Sequence, residues 1–113
     1  MEKTFEQAML YDFYGALLNE HQKMIFEEYA IDNYSLSEIA EEHGISRQGA
    51  HDLVKRITRT LEGYEDKLHL VSKFMAVKEK VNSINVISRS IVGENSEEAA
   101  KIIALSEQII DEL

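Results

Sequence analysis

Four cations, Arg47, Lys55, Arg56 and Arg59, crowd between Ser46 and Thr60 against one acid, Asp52. They give that stretch a net charge of +3 in a chain of net −9. Gln48 and His51 stand among them. Guanidinium and ammonium groups neutralise phosphates, and amide and imidazole groups exchange hydrogen bonds with base edges. The chemistry on offer is recognition of a polyanion rather than the making or breaking of bonds. The basic surplus is small: residues 1–34 carry two basic against seven acidic side chains, residues 35–60 four against four, and residues 61–113 six against ten. Few phosphates can be neutralised, so weak non-specific affinity is expected.

Such side chains need a rigid element to present them. From Ser35 to Ile57 the chain runs SLSEIAEEHGISRQGAHDLVKRI. The spacing predicts two helices joined by a tight turn. Ile39 and Ala40 fall on the inner face of the first, and Ala50, Leu53 and Val54 on that of the second. Ala40 and Ala50 are small enough for a steep, close crossing. Gly44 supplies a turn residue that tolerates positive φ. Ile45 is expected to plug the corner, and Ser46 to cap the second helix by accepting from a free backbone N–H. Arg47, Gln48, His51 and Lys55 then face outward, as the reading helix of a DNA-binding helix-turn-helix presents its residues to a major groove. An ordinary corner between two helices is the competing reading.

Other chemistry is poorly supplied. His21, His43, His51 and His69 include no pair at i, i+4, no HExxH and no cysteine partner, so no metal or other cofactor is expected. Glu27-Glu28, Glu41-Glu42 and Glu97-Glu98 are neighbours in sequence and diverge on a helix, which makes them unsuitable as acid–base pairs. With no phosphate loop, nucleophile elbow or Ser/His/Asp set, a non-enzyme is expected. The absence of Cys fits a reducing compartment. No apolar run approaches the ~18 residues of a membrane span. MEKTFEQAML lacks the pattern of a signal peptide, so a cytoplasmic location is expected.

With no Pro and only five Gly, the composition favours an all-α fold. A first helix is expected from Phe5 to Leu18, with Phe5, Met9, Tyr11, Phe13, Tyr14, Leu17 and Leu18 inward. Asn19 and Gln22 form a capping box for a second helix with Met24, Ile25, Phe26 and Tyr29 inward. Ser35 and Glu38 form another box for the third. The fourth helix is expected to run from Arg47 to about Lys80. Leu53, Ile57, Leu61, Tyr64, Leu68, Val71 and Met75 repeat along it at heptad spacing. Either this chain covers that seam, or a homodimer forms through Leu61, Tyr64, Leu68, Val71 and Met75. Asn82 to Gly93 is rich in β-branched residues, and a weak helix is expected there. Ser96 caps a last helix with Ile102, Ile103, Leu105, Ile109, Ile110 and Leu113 on its apolar side. The division this suggests is a helix-turn-helix domain over 1–62 and a helical extension over 63–113, the latter for dimerisation or partner binding.

The segments LYDFYGALL, SLSEIAEEHGISRQGAHDLVKR and LEGYEDKLHL, at these distances, resemble the YlxM-like family of small bacterial proteins. The resemblance covers about Met9 to Leu70. It implies a helix-turn-helix bundle like region four of sigma-70-type factors, with a long fourth helix and a C-terminal extension. Carried onto this chain, it puts Arg47 and Gln48 at the first exposed positions of the reading helix, suited to guanine and adenine. Lys55, Arg56 and Arg59 would contact phosphates, and His51 shares their face. Ser35 and Ser37 would hold a phosphate at the start of the third helix, and Ser46 opens the reading helix. Two residues depart from an ideal reader: Gly49, which lowers helix propensity by roughly 1 kcal/mol, and Asp52, whose charge repels phosphates. The family is usually encoded beside genes of the signal recognition particle, which implies a regulatory or accessory role in that pathway. A double-stranded DNA partner is the leading expectation. The alternative is a protein-interaction module on the same fold, engaging a component of the signal recognition particle. RNA contact through the same stripe lacks the aromatic residues that stack single-stranded bases.

Overall fold

Four helices begin as their caps foretell. The Asn19 side chain accepts from the Gln22 N–H at 2.8 Å while Gln22 Oε1 accepts from the Asn19 N–H at 3.0 Å. Ser35 and Glu38 make the same reciprocal pair at 3.0 and 2.9 Å. Ser46 Oγ accepts from the Gly49 N–H at 2.9 Å, and Ser96 Oγ from the Ala99 N–H at 3.0 Å. Each bond satisfies an amide that the helix itself leaves orphaned and contributes about 1 kcal/mol.

The structure, a computed structural model, describes residues 3–93 and 95–113. The helices are α1 (Lys3–Tyr14), α2 (Glu20–Phe26), α3 (Leu36–His43), α4 (Arg47–Leu68), α5 (Leu70–Val92) and α6 (Glu97–Asp111). No strand occurs among the described residues. The fold is all-α, as the composition implied.

The chain divides into two units, Met1–Val71 and Ser72–Leu113. In the first, Tyr14, Ile25, Phe26, Ile39, Ile57 and Leu61 are fully enclosed. Each such side chain contributes roughly 1.5–3 kcal/mol by leaving water. α1 ends four residues before the expected Leu18. Gly15 lies under the Tyr11 ring, where a Cβ would meet ring carbons at 2.8 Å. From Gly15 to Leu17 the chain tightens into a 3₁₀ turn. The inward residues of this region are Leu10, Tyr14 and Leu18, whereas Phe5 and Leu17 are exposed.

α2 does not stop at Phe26 but widens into a π-helical turn, Glu27–Ile31. The Asp32 N–H reaches Glu27 O at 2.9 Å, and the Tyr34 N–H reaches Glu28 O at 2.8 Å. His43 Nε2 lies 2.8 Å from Glu28 Oε1, tying the end of α3 to this turn. Gly44 has φ of 67°, and the Ile45 N–H returns to Ala40 O at 3.0 Å, a left-handed helix ending that only Gly adopts freely. Ile45 itself is exposed and does not plug the corner. Enclosure there falls to Ile39 and Ala50.

The expected helix from Arg47 to Lys80 is two helices. α4 passes unbroken through Gly63 and ends at Leu68, because His69 takes a left-handed conformation with φ of 56°. The first amides of α5 find partners from elsewhere: the Leu70 N–H donates to the Tyr14 hydroxyl at 3.1 Å and the Val71 N–H to Glu65 Oε1 at 3.0 Å. The dimer seam fails with the helix. Leu61 is fully buried in its own unit, and Tyr64 packs on Tyr14 with ring centroids 5.9 Å apart. Leu61 is thus closed to a second chain, and Tyr64 is half-buried within its own unit.

In the second unit, α5 and α6 form an antiparallel hairpin around Gly93, which has φ of 84°. The β-branched stretch from Asn82 lies within α5. Asn85 Nδ2 donates to Ser106 Oγ at 3.0 Å, while Asn85 Oδ1 is enclosed with no donor. An enclosed acceptor left this way costs about 1–3 kcal/mol.

Candidate nucleic-acid interface

α4 is amphipathic by spacing. Ala50, Val54, Ile57 and Leu61 form its buried face. Gln48, Asp52, Lys55 and Arg59 repeat at 4, 3 and 4 residues and therefore stand opposite that face. Arg47 and His51 lie on one shoulder and Arg56 on the other. All seven of these side chains are exposed. Where α3 and α4 meet, Ala40 and Ala50 keep only 7 % and 0 % of their surface, as a close crossing requires.

The helix start explains Gly49. Its N–H donates to Ser46 Oγ, and a Cβ there would lie 3.1 Å from that same oxygen. Glycine leaves room for the cap, and in the first turn its propensity cost is smaller than in a helix interior. Arg47, Lys55, Arg56 and Arg59 form no ion pair among the described residues. Their charges are open to an external anion.

Asp52 serves a different purpose. Its Oδ1 accepts from Gln48 Nε2 at 3.0 Å and lies 3.5 Å from His51 Nδ1. The donor that Gln48 would offer an adenine is thus engaged, and a base contact must exchange for it. The start of α3 is similarly occupied. Glu38 folds over Ser35, and hydrogen bonds from the Ser35 backbone and then its side chain hold the Glu38 carboxyl below the usual range. That carboxylate competes with a phosphate for the Ser35 amide. Ser37 is exposed beside it.

A cleft of about 280 Å³ runs along the Arg47 shoulder of α4. It is lined by His51, Lys55 and Arg59 on α4 and by Gln7, Tyr29 and Leu36 facing them. Gln7 is only 6 % exposed. The sequence held one sign of it: Gln7, Leu10, Tyr14 and Leu18 repeat at 3, 4 and 4, and Gln7 is the polar member of an inward stripe. His43, by contrast, pairs with Glu28 and stacks edge-on to His21 at 6.0 Å, away from His51. No metal-binding group of acids and histidines occurs among the described residues. Among the described residues no helix is long and apolar enough to cross a membrane.

One neighbouring patch has the opposite sign. The Tyr34 phenol is pushed up, first by Glu42, then by burial, then by Glu28, Asp32 and Glu38. Three exposed carboxylates, Asp32, Glu38 and Glu42, and the half-buried Glu28 therefore surround it.

A family model of UPF0122, described as "Putative helix-turn-helix protein, YlxM / p13 like", matches residues 1–103. The chain belongs to this family. A UPF0122 protein of Acetivibrio thermocellus is 43 % identical over 114 residues, covering all of this chain and 97 % of its own length. The UPF0122 protein YlxM of Bacillus subtilis is 40 % identical over 109 residues, covering 96 % of this chain and 94 % of its own. A UPF0122 protein of Caldanaerobacter subterraneus, TTE1463, is 51 % identical over 77 residues, 68 % of this chain and 66 % of its own. The family's helix-turn-helix description corresponds here to α3, Gly44 and α4.

Proposed function

We propose that this protein is a cytoplasmic, DNA-binding regulator of transcription that reads a short duplex site with the first turns of α4. The observation that carries the reading is the set of exposed, unpaired cations Arg47, Lys55, Arg56 and Arg59 on the outer side of a correctly closed helix-turn-helix. Arg47 offers a paired donor to guanine. Gln48 and His51 adjust to neighbouring bases by giving up Asp52. Lys55, Arg56 and Arg59 hold phosphates, and Ser37 and Ser46 stand beside the strands.

The test is fluorescence anisotropy with duplex DNA from upstream of the protein's own operon. Three phosphate contacts give a salt slope of roughly −2.7, so affinity should fall about 40-fold between about 50 and 200 mM salt. Arg47→Ala should lose the preference for that duplex over random sequence. Binding equal to random duplex and indifferent to Arg47 would refute the reading.

A second reading has its own support. Asp32, Glu38 and Glu42, exposed around Tyr34, form an acidic patch that suits a basic protein partner, with Glu28 behind them engaged by His43. In that case the same fold acts as an accessory factor of the signal recognition particle. Charge reversal at Glu42 would then weaken partner capture and leave DNA affinity no lower.

A further inference from the structure

Residues 72–113 bury little within their own unit. Among their described side chains only Val81, Ala99 and Ser106 are enclosed, and two of these are among the smallest residues. A polar contact across the hairpin, Asn85 to Ser106, leaves Asn85 Oδ1 unsatisfied. Meanwhile Ile84, Ile87 and Ile91 on α5 are 55, 58 and 75 % exposed, and Leu105 and Ile109 on α6 are 59 and 45 % exposed. Two helices that share so small a core need another surface to cover them.

These residues and their half-buried neighbours are ordered. On α5, Lys73, Val77, Lys80, Ile84, Ile87 and Ile91 succeed one another at 4, 3, 4, 3 and 4 residues, Val77 being half-buried. From α6, Glu98, Ile102, Leu105, Ile109 and the C-cap residue Glu112 do so at 4, 3, 4 and 3, Ile102 being half-buried. Both are heptad stripes of the kind that packs helix on helix. Each lies about a quarter turn, in the same rotational sense, from the stripe with which its helix meets the other, Val81–Asn85 on α5 and Ala99–Ser106 on α6. Because the two helices are antiparallel, the same sense puts both stripes on one side of the hairpin. The result is a single apolar face two helices wide.

Charge identifies what fits that face. α5 carries Lys73, Lys78, Lys80 and Arg89 against Glu79, a net of +3. α6 carries Glu97, Glu98, Glu107 and Asp111 against Lys101, a net of −3. The apolar part of the α6 stripe is bracketed by Glu98 and Glu112, and the isoleucine run of the α5 stripe, Ile84 to Ile91, is preceded by Lys80. Lys80 makes no ion pair among the described residues. An α5 stripe laid antiparallel on the α6 stripe of a copy related by a two-fold axis along the helices, with Ile84 opposite Ile109, Ile87 opposite Leu105 and Ile91 opposite Ile102, brings Lys80 to Glu112. An α5 stripe laid on another α5 finds no such partner. The surface complementary to this face is thus the face itself, turned by a two-fold axis.

We infer that a second copy of this chain covers the face, the α5 stripe of each copy packing on the α6 stripe of the other to make a four-helix bundle. This is a different surface from the Leu61–Met75 seam suggested by periodicity. It does not depend on the reading of α4.

The full chain tests it. Sedimentation velocity should give twice the 13.0 kDa of one chain. Ile87→Glu, at an exposed position, should weaken association by roughly tenfold or more while helicity is retained. The chain has no cysteine, so single substitutions report cleanly. Mixing Ile87→Cys with Leu105→Cys, which stand opposite one another in this register, under oxidation should give a mixed disulfide dimer in excess of either self-linked product. A mass of one chain from micromolar to submillimolar concentration would overturn the inference and leave the face to an unrelated partner. Dimers that survive Ile87→Glu, or that cross-link through Ile87→Cys with itself in preference, would overturn the α5-on-α6 pairing.

Discussion

Removing one hydroxyl group, in Tyr14→Phe, should destabilise the first unit by about 3 kcal/mol. Tyr14 is 1 % exposed, so the ring stays where it is and only the oxygen is lost. That oxygen donates to Glu65 Oε1 at 2.5 Å and accepts from the Leu70 N–H at 3.1 Å. A hydrogen bond to a charged group contributes roughly 1.5–3 kcal/mol, and an amide left without its acceptor adds up to a similar cost where water cannot reach it. For a unit of this size each kcal/mol moves the midpoint by about 4–8 °C, so Tm should fall on the order of 15 °C. Urea unfolding, monitored by helix signal, measures the free energy directly. Alkaline pH supplies a second reading. Burial first, then the bond to Glu65, push the Tyr14 phenol up from its ordinary value. A phenol whose folded pKa is raised contributes stability that is fully present below its ordinary value, near 10, and is lost as pH rises through the raised one. The variant should therefore lose less stability than the wild type in that window. Tyr11, pushed up to about 12 by burial and then by Glu27, keeps a residual alkaline slope in both. A loss below about 1 kcal/mol, or identical alkaline profiles, would refute the idea that this hydroxyl ties α1 to the α4–α5 junction.

Gly63→Ala should stabilise the protein by about 1 kcal/mol in thermal unfolding, since α4 continues through it and nothing lies within 4 Å of the added Cβ. Gly44→Ala, equally open but at φ of 67°, should cost about 1–2 kcal/mol in the same assay, all of it backbone strain. Glu38 has a lowered pKa, so its stabilising effect is present above the ordinary carboxylate range and is lost as pH falls through the lowered value. Glu38→Gln keeps the capping geometry and should flatten that acid-side dependence, as unfolding curves across the range would record. Asp52→Asn removes the charge that holds Gln48 and His51. It should raise affinity for random duplex roughly two- to fivefold in the anisotropy assay, and an unchanged affinity would count against α4 as the contact surface.

The helix-turn-helix was legible because everything that defines it is local. Asn19 with Gln22, Ser35 with Glu38, Gly44 and Ser46 each act within one turn of chain, where spacing alone carries the information. The break at His69 was not legible for the converse reason. No Gly or Pro marks it, and the apolar spacing of Leu61, Tyr64, Leu68, Val71 and Met75 continues across it without a fault. What makes the break possible is a pair of side chains, Tyr14 and Glu65, meeting the next helix's amides, and Tyr14 lies 56 residues from Leu70. The candidate interface divides the same way. The exposure of Arg47, Lys55, Arg56 and Arg59 came from helical period, while the engagement of Gln48 and Ser35 by neighbouring carboxylates depended on rotamers that spacing does not specify. Leu10 and Gln7 are hard to see in the sequence because the aromatic residues around them dominate the stripe.

The π-turn at Glu27–Ile31 has a consequence for how this chain can change length. A π-turn accommodates one residue more than an α-turn, so it is a place where a helix holds an extra residue without unwinding. Removing one residue there would restore ordinary winding and rotate the chain on its N-terminal side by about 100° relative to the chain on its C-terminal side. Ile25 and Phe26 could then face the core only if Ala30 turned away from it, and His43 would no longer meet Glu28. Length in this segment is therefore counted by the packing on its two sides, unlike a surface loop that lengthens or shortens freely. The turn acts as a spacer whose residue number is fixed by the two faces it brings into phase.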